Sequence, residues 1–203
     1  MTDTPQNLTE DQPAVQPVRP TRSQAFVENI RRLKQTDIGK LAALRRNAGH
    51  TLTEARGTNW FYSTLDRFSI SRHEEEVFYL VATLLAGDKA AMHGQTHFSG
   101  DLGVSMRMLR NLNPSSDAAE RRFGLLLDSD FGPDGGGEMA FRLRQTIRLL
   151  MSKGIPVDWS QLLDDLRWWS NETRSIRKKW ARSFYAAPEI IMTEEPVTES
   201  KSS

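Results

Sequence analysis

Apolar side chains recur every three or four residues along most of this chain, the spacing of helices that each bury one face. Ser23 can cap a helix carrying Phe26, Val27, Ile30 and Leu33 on one side. Asp37 can cap the next, with Ile38, Leu41 and Ala42 inward and Gly49 as its stop. Residues 50–58 read as a loop, followed by a short helix with Trp60, Phe61 and Leu65. Ser71 and Glu74 have capping-box spacing before a broad apolar face from Val77 to Leu85. A loop is expected from Lys89 to Gly100. A helix holding Leu102, Met106 and Leu109 then breaks before Pro114, and another runs from Asp117 to about Leu127. A long helix spans about Glu138 to Ser152, with Gly154 and Pro156 at its exit. Asp158 to Ser170 carries Leu162, Leu166 and Trp169 inward. The last helix begins near Asn171 and sets Ile176, Trp180 and Phe184 at i, i+4 and i+8. No strand pattern has comparable support, so the fold class expected is all-α.

Residues 1–21 hold four of the nine prolines and almost no aliphatic side chains, and residues 189–203 read the same way. Neither can repay its ordering entropy, so both are expected to be disordered tails. The glycine-rich DSDFGPDGGGE connector offers a division into two packed helical bundles, 22–131 and 132–188.

Charge changes this picture once it is placed along the chain. Of 27 basic and 26 acidic side chains, the two ends take two bases and seven acids. Residues 22–188 therefore keep 25 bases and 19 acids, a net of +6, which is compatible with a polyanionic partner. The chain has no cysteine, which excludes disulfides, thiolate chemistry and cysteine-ligated zinc. The first apolar-rich segment comes after residue 25 and no apolar run approaches 18 residues, so no signal peptide or membrane span is expected. A soluble, cytoplasmic protein follows from that reading.

The basic side chains are grouped at helical spacings. Arg107 and Arg110 are three apart, Arg144 and Arg148 four apart. Arg174, Arg177 and Lys178 share another helix, with Arg182 a turn on. Such groups suit consecutive phosphates, which take charge-assisted donors at roughly regular spacing. They also suit solvated outer faces balanced by nearby acids. Arg45 falls near the Ile38–Leu41 face beside Arg46, and either an ion pair with Asp37 or Glu28 or a ligand contact would account for it. Trp168 points away from the Leu162–Leu166–Trp169 face and suits either base stacking or a protein neighbour.

Enzymatic chemistry has little to build on. His93 and His97 are four apart, but Gly94 argues against a helix that would align them for a metal. GPDGGGE lacks the lysine and hydroxyl of a phosphate loop. Asp158 is most simply a helix cap, and Asp164 and Asp165 point differently. No cofactor and no metal are expected.

Three stretches together resemble the CasB family, the small subunit of the type I-E CRISPR surveillance complex Cascade. They are FVENIRRLKQTDIGKLAALRRNAG from Phe26 to Gly49, the region Gly103 to Phe123, and IRLLMSKGIPVDWSQLLDDLRWWSNETRSIRKKWARSFY near the end. The last is the most specific, because a long apolar helix, G-I-P-x-D-W, L-L-x-D-L-x-x-W and W-A-x-x-F-Y occur in order. The resemblance implies a non-catalytic, all-helical subunit of two packed bundles. It implies two copies lying head to tail beside guide-binding backbone subunits and a large subunit. There the subunit would stabilise guide RNA, target DNA and the displaced strand of the R-loop. The family's basic positions correspond to Arg45, Arg46, Arg107, Arg110, Arg122, Arg142 and Arg144, together with Arg174 and Lys178 by basic character. A scaffold subunit that bridges proteins without touching nucleic acid is the alternative.

Overall fold

Thr21 starts the first helix: its hydroxyl accepts from the Gln24 N–H, and the Gln24 side chain accepts from the Thr21 N–H. This capping box displaces the expected cap two residues upstream. Ser23 is buried in the first turn instead, where its Oγ donates to Asp164 across the molecule at 2.5 Å.

The computed structural model describes residues 19–94 and 98–187. Apart from residues 19–21, the proline-rich lead lies outside the described residues, as do the tail after residue 188 and His97. Ten helices form the described residues: α1 (Arg22–Thr36), α2 (Ile38–Arg46), α3 (Trp60–Arg67), α4 (Glu75–Gly87), α5 (Lys89–Met92), α6 (Leu102–Leu112), α7 (Ala118–Leu127), α8 (Gly137–Ser152), α9 (Trp159–Arg167) and α10 (Ser175–Tyr185). No β-sheet occurs among the described residues, and no helix there is long and apolar enough to cross a membrane. The fold is all-α.

α4 is the central element. Every residue from Val77 to Ala86 is buried, which explains why its apolar face reads so broadly. α1, α2, α5, α8 and α9 all pack on it. Phe26 meets Phe61, Phe68 and Phe78 edge to face, with centroids 4.8–6.2 Å apart. Such pairs add about 1 kcal/mol each beyond the area they bury. α10 lies along α6, and α7 bridges α6 and α8. The helices after the glycine-rich loop thus pack back across α1, α4 and α6, and their buried residues belong to the same apolar core as those before it.

Three local expectations are corrected by the tertiary structure. Ile38 is 70% exposed, because Leu41 and Leu44 already fill the buried face of α2. Ser71 and Glu74 form a turn ahead of α4 rather than a cap: the Glu74 carboxylate accepts from the Ser71 hydroxyl at 2.5 Å, and α4 begins at Glu75. The stretch after Gly87 holds a helical turn, α5, capped by Asp88, whose other oxygen accepts from the Trp159 indole at 3.1 Å.

Candidate nucleic-acid interface

The long helix α8 keeps Arg144 and Arg148 together and sets Arg142 apart from them. Met139, Leu143, Ile147 and Leu150 make its buried stripe. At 100° per residue, Arg142 falls on one flank of that stripe and Arg144 and Arg148 on the other. Arg142 pairs with Glu138 one turn earlier, at 2.5 Å. With Arg121, Arg122 and Gln145 it lines a groove of about 400 Å³ between α7 and α8. Arg121 was not among the expected contacts. Lys153 joins an adjoining cavity that Arg122 also lines. Its register with Arg142 and Leu149, eleven and four residues earlier, was readable in the sequence.

On the opposite flank, burial lowers the pKa of Arg144; the neighbouring Arg148 cation adds to this and Glu54 opposes it. The guanidinium stays charged, since its ordinary value lies far above neutrality. Arg144 and Arg148 make no ion pair among the described residues.

Arg107 and Arg110 sit on α6 beside the end of α10. One Arg107 nitrogen lies 3.5 Å from the Ala186 carbonyl oxygen, the outer limit for a hydrogen bond. Arg110 stacks over the Phe184 ring at 4.8 Å. A guanidinium stacked by its face keeps N–H donors at its edge for an anion. These two residues therefore face the α6–α10 side, and Arg122 and Arg142 the α7–α8 side.

Arg45 and Arg46 are both exposed at the end of α2. The expected acids are engaged elsewhere, Asp37 with Lys40 and Glu28 with Arg32. Arg45 instead donates through Nε to the Ala86 carbonyl oxygen at 2.6 Å, where the last turn of α4 has free carbonyls. Arg174 is exposed in a left-handed conformation (φ 50°) ahead of α10, and Lys178 is exposed one turn further.

Arg177 is the exception. It is 7% exposed, pairs with Asp130, donates to the Leu127 carbonyl oxygen at 3.0 Å and stacks over Trp169 at 4.9 Å. It ties α10 to the end of α7 and has no donor edge facing solvent, so its place among the expected nucleic-acid contacts is corrected to a structural one. Of the eleven expected contacts, Arg177 and Arg142 are ion-paired among the described residues. The other nine are not.

The carboxylates weighed as catalytic groups are held in structural contacts. Asp158 caps α9 through the Ser160 and Gln161 N–H groups. Asp164 accepts from Ser23 and Arg167. Asp165 is buried and accepts from Gln161, Lys179 and the Trp180 indole at 2.6–2.9 Å. Trp169 and Trp180 are buried against each other, whereas Trp168 is 60% exposed.

Comparison with known proteins gives this arrangement a lineage. A profile of the CRISPR-associated protein Cse2 family matches residues 40–185, more than half of the chain. A CRISPR-associated protein Cse2 of Thermus thermophilus is 34% identical over 119 residues, 57% of this chain and 60% of that protein's length. The crystal structure of M. ruber CasB superposes with a TM-score of 0.65 at 31% identity, covering 81% of this chain and 93% of that one. A chain in a structure of a CRISPR RNA-guided surveillance complex has the same fold, with a TM-score of 0.66 at 23% identity over 80% of this chain and 91% of that one. Signature stretches, all-helical fold and profile agree: the chain belongs to the Cse2 (CasB) family of CRISPR-associated proteins.

Proposed function

We propose that this protein is the non-catalytic small subunit of an RNA-guided CRISPR surveillance complex, where it stabilises the guide RNA–target DNA R-loop and the displaced strand through phosphate contacts. The observation that carries the reading is the nine expected cations without a carboxylate partner among the described residues. Cations fixed on helices but not neutralised by the protein are available to a sugar–phosphate chain. Sequence in such complexes is read by base pairing, so the protein needs grip rather than base recognition. The family membership supports the same assembly, with guide-binding backbone subunits, a large subunit and a second copy of the chain lying head to tail as partners.

The cations form separate groups, so the contact is made at several points. Arg107 and Arg110 serve one segment of backbone and Arg122 another, where a phosphate must displace Glu138 to engage Arg142 as well. The test is binding of fluorescent single-stranded DNA to the purified protein and to the assembled complex, compared for Arg107→Ser/Arg110→Ser and Arg122→Ser/Arg142→Ser. Weaker binding with unchanged thermal melting is expected. Unchanged binding by both double variants, combined with failed assembly, would support the alternative scaffold that holds proteins alone. That alternative draws on the exposed Ile38, Leu112, Leu125 and Trp168, side chains suited to protein contact.

A further inference from the structure

Between the α6–α7 turn and α8 lies an open cavity of about 290 Å³ with an apolar floor. Leu109, Leu112, Ala119 and Leu149 line it, and Arg122 and Lys153 stand among them. Leu112 is 63% exposed there. The cavity continues through Ala118 and Arg122 into the α7–α8 groove, which adds the exposed Leu125 and the cations Arg121 and Arg142. The two together form an apolar trough with basic side chains along it, and nothing in the described residues covers it.

The chain leaves α10 against α6 and α7, the two helices whose other residues line this trough. The Tyr185 hydroxyl donates to Glu120 of α7 at 2.8 Å, and the Ala186 carbonyl faces Arg107 of α6. The sequence that follows is P-E-I-I-M-T-E-E, three apolar residues, Ile190 to Met192, bracketed by Glu189, Glu194 and Glu195. Five extended residues reach about 17 Å, enough to cross a helix about 10 Å wide. Apolar residues flanked by acids complement an apolar floor flanked by cations, and the attachment point makes the contact intramolecular at high effective concentration.

We propose that residues 189–195 fold back over α7 and dock in this trough, with Ile190–Met192 on the apolar floor and the glutamates against Arg121, Arg122 and Lys153. The docked segment then competes with nucleic acid for those cations; this consequence rests on the phosphate-binding role of the groove.

Disulfide trapping tests the docking, because the natural chain has no cysteine. The full-length Ile191→Cys/Leu112→Cys protein is expected to form an intramolecular crosslink under mild oxidation, at least tenfold faster than Ile191→Cys/Ile38→Cys, whose second site lies on α2. Equal rates at both sites, or crosslinking only between two molecules, would overturn the docking. Ending the protein after Ala187 is expected to raise its affinity for single-stranded DNA three- to tenfold at low salt, and a peptide of residues 188–203 added in excess is expected to reverse the gain. If trapping succeeds while truncation leaves affinity unchanged, the docking stands and the groove's part in nucleic-acid binding falls. If truncation raises affinity while trapping fails, the acids act through space alone and the docking is refuted.

Discussion

The Trp180 carbonyl lies against Gly103, so close that a β-carbon at position 103 would overlap its oxygen. Glycine here lets the backbones of α6 and α10 meet directly. The neighbouring contacts depend on that approach: Ser183 donates to Asp101 at 2.7 Å, and Arg110 covers Phe184. Gly103→Ala should force the helices apart at a cost of about 3 kcal/mol, at the upper end for overpacking a tight core. Thermal melting should show the loss, and hydrogen exchange should place it in α10.

Arg177 and its neighbours on α10 should separate stability from binding. Arg177→Ala leaves Asp130 without its cation and opens space beside Trp169. A destabilisation of about 2–3 kcal/mol is expected, below the figure for a fully buried pair because Asp130 is exposed. Arg174→Ala and Lys178→Ala should leave the melting temperature within a degree. If all three variants melt alike, the assignment of Arg177 to the core is wrong.

Removing Arg122 and Arg142 should change the salt dependence of single-strand binding as well as its strength. Each phosphate contact contributes about 0.7 to the slope of log affinity against log salt. The Arg122→Ser/Arg142→Ser protein should lose between about 0.7 and about 1.4 from that slope, the smaller loss if Glu138 keeps Arg142. A parallel line at lower affinity would mean that these residues act other than by neutralising phosphate.

Glu74 joins three distant parts of the chain. It accepts from Arg167 and Arg22 and from the Ser71 hydroxyl. Burial pushes its pKa up, but the Ser71 hydroxyl and the two guanidiniums outweigh burial and hold the carboxyl at about 2. A pKa lower in the folded state gives stability that is present above the ordinary value and lost as pH falls from there towards about 2. Glu74→Gln should therefore cost about 2 kcal/mol at pH 7, discounted for the partly exposed Arg22. The gap between the two melting temperatures should narrow steadily from pH 5 downward.

Glu76 should behave in the opposite way. Burial raises its pKa, against the pull of the Leu52 N–H that it accepts at 2.8 Å, and Asp134 adds to the rise. A carboxyl whose pKa is raised by folding stabilises most when protonated, and that contribution disappears as pH rises through its folded value. Glu76→Gln retains an acceptor for Leu52 without the charge. It should melt higher than the natural protein at pH 7, with the difference vanishing below about pH 4.

Periodicity made the helices and most of the core legible in the sequence, because a buried stripe is set by local spacing that tolerates little error: Phe26, Leu162, Trp169 and Trp180 all lie where their registers put them. The angular division of α8 into two basic flanks follows from the same geometry. Pairing of charges is another matter, since a partner is chosen by proximity in space. Arg177 and Asp130 are 47 residues apart, Arg167 and Glu74 are 93 apart, and no local pattern links either pair. Local capping preferences could not choose between Thr21 and Ser23, because the deciding contact reaches from Ser23 to Asp164 on α9. The sequence alone therefore determined an all-helical protein with basic clusters and a family signature. The packing of α7, α8 and α10 decided which of those cations the protein keeps for itself and which it leaves for a partner.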